Sequence, residues 1–303
     1  GLIDHASERS SEMRQCYIHV GTHKTGTKSL QYFLNHHRLE LEAQGICYPQ
    51  AGRPALAPDG HHNLAWEISG DRRFSTDYGD SKSLFREIEG SSLDVVISSE
   101  DFECSVHHAD RFGNFIAQFQ SLGIRTNLVV YLRNQIDYAE SLYFTLALLG
   151  LDRSFSDYCD EILKTNAFRW REWIFPFRYD TFLAHLASFA GVEVIVRSFD
   201  AAAIESPIVD FLSILGLDIA SISLKPLPWH NRRQDLIGIA AQFHANQVPP
   251  TLSLARQNQF AKAFGESNRT VCETYRLPDF ERMRQDRLIA PDASNASLVQ
   301  TVK

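Results

Sequence analysis

The 303-residue sequence contains no uninterrupted apolar run of about 18 residues, the length that a membrane-crossing helix needs. Nor does it carry an excess of positive charge. Its 30 basic residues are outnumbered by 37 acidic ones, and the net charge of −7 disfavours a nucleic-acid-binding role. CxxC spacing is missing as well. The five cysteines (Cys16, Cys47, Cys104, Cys159 and Cys272) are odd in number and scattered, which fits reduced thiols in a cytoplasmic protein and argues against a zinc site. The start lacks a signal-peptide pattern, and no internal repeat or low-complexity segment is found. What is present is ordinary globular material. Hydrophobic residues make up 44%, enough for a large core, with 22% charged residues to clothe it. The expected organisation is one α/β domain over 14–290, with tails at 1–13 and 291–303.

The chain is organised around residues 17–31, Tyr-Ile-His-Val-Gly-Thr-His-Lys-Thr-Gly-Thr-Lys-Ser-Leu-Gln. Residues 17–20 read as a strand. A turn rich in Gly, Thr and Lys follows, and an apolar-periodic run through Leu30, Phe33 and Leu34 reads as a helix. Strand, glycine turn and helix together hold phosphate: glycines let several N–H groups converge, the helix end adds its dipole, and lysine adds a full charge. A triphosphate loop would read G-x-x-x-x-G-K-S/T. Here Gly21 and Gly26 keep that spacing, but Thr27 stands at the lysine position, with Lys24 between the glycines and Lys28 one place late.

A second stretch, Leu128-Val-Val-Tyr-Leu-Arg133-Asn-Gln135, ends an apolar run in an arginine, with Ser141 eight positions on and Tyr143 after it. A guanidinium fork and a serine hydroxyl suit phosphate oxygens.

The first stretch, H-x-G-x-x-K-T-G-T-x-S-x-Q, resembles the 5′-phosphosulfate loop of sulfotransferases that use 3′-phosphoadenosine 5′-phosphosulfate (PAPS). The second is similar to their 3′-phosphate motif, with Gln135 where that family usually has proline. The resemblance implies a three-layer α/β sandwich around a mostly parallel sheet of the P-loop type. It also implies sulfuryl transfer from PAPS, leaving PAP, with no metal. It carries cofactor contacts onto Lys24, Thr25, Gly26, Thr27, Lys28, Ser29, Arg133 and Ser141, and loosely onto Arg232 and Arg233 of a basic loop over 225–233, with Trp229 for the adenine. That loop reads equally as a surface turn. The acceptor is expected to be a hydroxyl, or an amine, on a carbohydrate, glycolipid or small metabolite. Oligomeric state is left open. A kinase using ATP, or a PAP-binding module without catalysis, are the alternatives.

Sulfuryl transfer needs a base for the acceptor proton. The apolar run 94–97 ends near Glu100 and Asp101, at a strand end that faces the ligand crevice of an open parallel sheet. Glu100 is one candidate base; the other reading makes Glu100 or Asp101 a helix cap. His23, inside the loop, competes, and His107 and His108 read as helix-surface residues. Residues 50–80, rich in Gly, Pro, His and Asp, form a long insertion, a lid or substrate wall, with a helix near 63–68. Its His61 and His62 are expected to be solvated loop histidines or supporting groups rather than metal ligands. The aromatic-rich segment 155–178 reads as an acceptor wall or as ordinary core. Further helices are expected at 29–44, 109–122, 138–149, 181–190 and 207–215, and a strand at 192–197.

Overall fold

A computed structural model describes residues 13–218, 220, 222 and 250–289. Five strands form a wholly parallel sheet: β1 (Gln15–Gly21), β2 (Ile46–Cys47), β3 (Asp94–Ser98), β4 (Arg125–Leu132) and β7 (Val192–Ser198), in the order β2-β3-β1-β4-β7. The sandwich is α/β, of the P-loop kind, with β1 in the middle. Two short strands, β5 (Ala167–Trp170) and β6 (Trp173–Pro176), pair antiparallel as a separate hairpin.

Side-chain alternation explains the layers. Val95, Ile97, Leu128, Val130 and Leu132 point to one face, where they meet helices α3 (His62–Ser69), α4 (Ser81–Glu89), α6 (Ala109–Ser121) and α9 (Tyr179–Ala187). Val96, Val129 and Tyr131 point to the other, against α1 (Thr27–His36), α2 (Arg38–Ala43) and α11 (Pro207–Ile214). A strand buried on both faces reads as a continuous apolar run rather than as an alternating one. A third core joins α7 (Gln135–Leu148), α8 (Phe155–Thr165), the hairpin and α12 (Leu254–Tyr275). Helix α10 (Phe199–Glu205) follows β7, α13 (Phe280–Ile289) follows α12, and the one-turn helix α5 (Phe102–Ser105) follows β3.

Several expectations change. The helix expected over 29–44 is two helices, because His37 leaves helical geometry (φ −106°, ψ 25°) between α1 and α2. The aromatic segment supplies core: Tyr158, Phe168, Phe175 and Phe177 are buried, while Trp170 and Trp173 are only half-buried. Asn268, the first residue of a glycosylation-like triplet, exchanges hydrogen bonds with Gln135 at 2.7 and 2.8 Å. Among the described residues no helix is long and apolar enough to cross a membrane. Arg232, Arg233 and Trp229 lie outside the described residues, as do both expected tails apart from Met13.

Candidate functional site

Three neighbouring strand ends meet at one rim of the sheet. β1 ends at Gly21, β3 leads into Glu100, and β4 leads into Arg133. The register of β1 against β4 slips between His19 and Gly21, so the chain leaves the sheet there. Thr22 then ties back to Tyr131: its N–H and its hydroxyl both donate to the Tyr131 carbonyl, at 2.9 and 3.2 Å. The loop turns through left-handed backbone at Lys24 (φ 62°) and Gly26 (φ 74°) before α1 begins at Thr27.

Gly21 and Gly26 have to be glycine for different reasons. At Gly21 (φ +105°) a methyl would lie 3.2 Å from the His23 nitrogen and 3.4 Å from Glu100 Cα, so the absent side chain lets the loop close on Glu100. At Gly26 (φ +74°) it would meet the Phe199 ring at 3.1 Å. Gly26→Ala is expected to destabilise the fold by about 1–2 kcal/mol through left-handed strain alone. Urea denaturation would measure this, and an unchanged midpoint would contradict it.

Gly26 is the N-cap of α1 and provides no side-chain cap. The first-turn N–H groups of Thr27, Lys28 and Ser29 therefore have no partner within the helix. Lys28 and Ser29 are exposed, and Thr27 is buried. Thr25 departs from its expected role. Its hydroxyl donates to the Thr22 carbonyl at 2.6 Å, so its one proton braces the loop instead of facing a phosphate.

Lys24 and Arg133 come together. Arg133 Nη1 donates to the Lys24 carbonyl at 2.9 Å, and its guanidinium lies 5.2 Å from the centre of the Phe199 ring. Burial, then Lys28, then Arg133 push the Lys24 ammonium below its usual range, while Glu100 opposes them. Three cations thus crowd the open end of α1. Ser141 sits in the second turn of α7, half-buried, on the helix that Arg133 leads into.

The structure corrects the reading of His23 as a competing base. The buried Glu103 carboxylate takes hydrogen bonds from the His23 N–H (2.7 Å) and from its Nδ1 (2.5 Å), and Tyr138 donates to its other oxygen at 2.6 Å. His23 Nε2 meets Asp101 Oδ1 at 3.2 Å. Burial alone would lower the imidazole, but bonding and charge from Asp101 and Glu103 outweigh it and raise His23 to about 10. His23 is an imidazolium at neutral pH and has no lone pair to offer a proton. It clamps the loop. The free side chain titrates near 6.5 and the folded one near 10, so the clamp's stabilisation is complete below pH 6.5 and is lost as pH rises through 10. Wild-type protein should therefore lose stability between pH 7 and pH 10 relative to His23→Asn. Urea midpoints at the two pH values test this, and parallel loss in both proteins would refute the charge assigned.

Glu100 remains a candidate base. Its carboxylate is mostly buried at 15% exposure, lies 3.9 Å from His62 Nδ1, and accepts from Gln31 Nε2 at 2.9 Å. Burial pushes it up and Asp101 adds to that, but His62 and His23 outweigh both and hold it below the ordinary carboxylate range. The capping alternative is not observed. Asp101 occupies the N-cap of α5 without a side-chain cap bond, and its oxygens serve His23 and Trp66 Nε1 (2.7 Å).

His61 and His62 are not solvated, contrary to one of the two expectations; they are supporting groups. His61 is fully buried, accepts from the Ser98 N–H at 3.1 Å and donates from Nε2 to the Pro49 carbonyl at 2.9 Å; burial lowers it to about 3. His62 Nδ1 meets Ser99 Oγ at 2.7 Å. The insertion is thereby stapled to the end of β3. His107 lies in the turn between α5 and α6 rather than on a helix and is half-buried: it stacks on His185 (5.7 Å, interplanar angle 5°), and burial lowers it to about 4.

The roles of Gln31, Ser98, Glu103, Tyr138 and Phe199 escaped the sequence. Only Gln31 gave a signal, as the last residue of the loop pattern.

No protein-family model and no curated protein matches the chain. Among solved structures, a sulfotransferase from Alicyclobacillus acidocaldarius matches at 20% identity over 77% of this chain and 94% of that one, with a TM-score of 0.41. A structure from the PezAT chromosomal toxin–antitoxin system of Streptococcus pneumoniae matches at 13% identity over 85% of this chain and 90% of that one, with a TM-score of 0.30. At these scores neither likeness assigns a family.

Proposed function

We propose that this chain transfers a sulfuryl group from PAPS to a hydroxyl or amine acceptor, with PAP as the other product. The observation that carries the reading is the crowding of Lys24, Lys28 and Arg133 around the uncapped end of α1, beside Glu100. Cations that repel one another at a helix N-terminus favour an anion between them. A carboxylate next to that cluster suits proton removal.

The residues present fit the nucleotide. The first-turn N–H groups of α1 and the Thr27 hydroxyl would hold the 5′-phosphate, and Arg133 with Ser141 the 3′-phosphate. PAPS supplies the sulfuryl group: its S–O bond to the phosphate breaks as the bond from the acceptor oxygen to sulfur forms. Lys24 neutralises the charge that collects on the departing phosphate oxygen, an interaction stronger in the transition state than before it. Glu100 takes the acceptor's proton; its lowered pKa keeps it ionised and ready. His23, bound to Glu103, keeps Lys24 in its left-handed turn.

Thermal shift with PAP, and with ATP plus magnesium, tests the nucleotide. PAP is expected to stabilise the protein and ATP–magnesium to do little. The reverse would favour phosphoryl transfer, which the shared loop architecture allows. Incubating cell extracts with radiolabelled PAPS then shows which acceptor becomes labelled. PAP binding with no labelled product would leave a nucleotide-binding module.

A further inference from the structure

Glu100 is surrounded by charged and titratable groups. His62 faces it from α3, His23 and Lys24 from the loop, His19 from β1, and Asp101 follows it in the chain. Its hydrogen bond from Gln31 is of a different kind, because it comes from a neutral and rigidly held group. Gln31 is only 2% exposed, on α1. A carboxylate can only accept, so the amide nitrogen is the end facing Glu100. The same nitrogen donates to Ser98 Oγ at 3.2 Å, and Ser98 Oγ meets His19 Nδ1 at 2.8 Å. Both amide hydrogens are thereby committed. The other end is held by shape: a methyl at Gly60 would come within 2.7 Å of Gln31 Oε1 and 2.6 Å of His62 Nε2.

We infer that Gln31 is a positioning residue for proton removal, holding Oε2 of Glu100 so that the acceptor's proton passes to Oε1. The inference rests on the reading of Glu100 as base. A donor aimed at the ionised form stabilises that form and fixes its orientation. Gln31 lies one turn beyond Thr27, about 6 Å along the same helix. One rigid element therefore presents both the uncapped N–H groups and the amide that aims the base. The chain of contacts ends at His19, which burial lowers to about 4 and so keeps neutral. No competing charge enters from that side at working pH.

The test reads Glu100 directly. Protein carrying carboxyl-labelled glutamate is titrated by carbon NMR, and Glu100→Gln identifies the signal by its loss. In Gln31→Met the Glu100 midpoint should move up by about one pH unit. Sulfate release from PAPS with water as acceptor should fall at every pH because the base is no longer aimed, and by about a further tenfold below the shifted midpoint. A residue that merely packs would lower the rate equally at every pH. Should Gln31→Met fail to fold, the isosteric Gln31→Glu sets a like charge against Glu100 and should raise the midpoint further. An unmoved midpoint in either folded variant overturns the inference. Calorimetry with PAP on the wild type separates the two readings: absent PAP binding sinks the nucleotide assignment, and an unmoved Glu100 midpoint sinks this one.

Discussion

Replacing Lys24 with alanine is expected to lower PAPS turnover by about 10²–10³-fold, with PAP affinity reduced by less than about tenfold. The asymmetry follows from what each state needs. On the proposed reading nucleotide anchoring is shared among the α1 N–H groups, Arg133 and Ser141, and removing one cation leaves those in place. Charge on the phosphate oxygen that leaves sulfur appears only as the bond breaks, and Lys24 is the cation held in the turn next to the uncapped helix end. That turn is over-determined: the Lys24 carbonyl accepts from Arg133, and the preceding residue is gripped by Glu103. Lys24→Arg should rescue little, because a planar fork does not replace a compact ammonium. Turnover of radiolabelled PAPS and calorimetry with PAP give both numbers. Retained turnover in Lys24→Ala would remove the role assigned to this residue.

Arg133→Ala is expected to weaken PAP binding by about 10²-fold or more, through loss of a charge-assisted, two-pronged phosphate contact. Binding of adenosine 5′-phosphosulfate, which has no 3′-phosphate, should change far less. The comparison is needed because Arg133 also supports the Lys24 carbonyl and rides on Phe199, so its removal disturbs the loop as well. Loop damage would weaken both ligands alike; loss of a 3′-phosphate contact weakens only one. Equal losses would therefore count against the assignment. Ser141→Ala should show the same selectivity at about tenfold, the scale of a single hydroxyl hydrogen bond to a charged group.

The parts of the fold that rest on local pattern were readable in the sequence. The strands β1, β3 and β4 are largely apolar runs because both faces of the sheet are covered there, the edge strand β7 keeps two valines and an isoleucine between Glu193 and Arg197, and the loop before α1 carries its own glycine spacing. Helix α3 emerged near the expected place inside the insertion. Other features depend on partners far along the chain. His23 reads as an ordinary loop histidine until Asp101 and Glu103, about 80 positions away, make it a cation. His61 and His62 read as solvated until β3 supplies their partners. The β5–β6 hairpin was hidden because aromatic residues serve strand, helix and core alike. Helix α10 was missed although Ser198 caps it, its side chain accepting from the Ala201 N–H.

The order β2-β3-β1-β4-β7 has a metric consequence. Glu100 follows β3 and Arg133 follows β4, with β1 and its loop between them. Two inter-strand spacings, about 9–10 Å in all, separate the roots of these two side chains. Backbone pairing sets that span, so surface substitutions leave it untouched. On the proposed reading the sheet acts as a calliper for a donor of one size, and variation in what is sulfated would have to arise in the segments laid over its jaws.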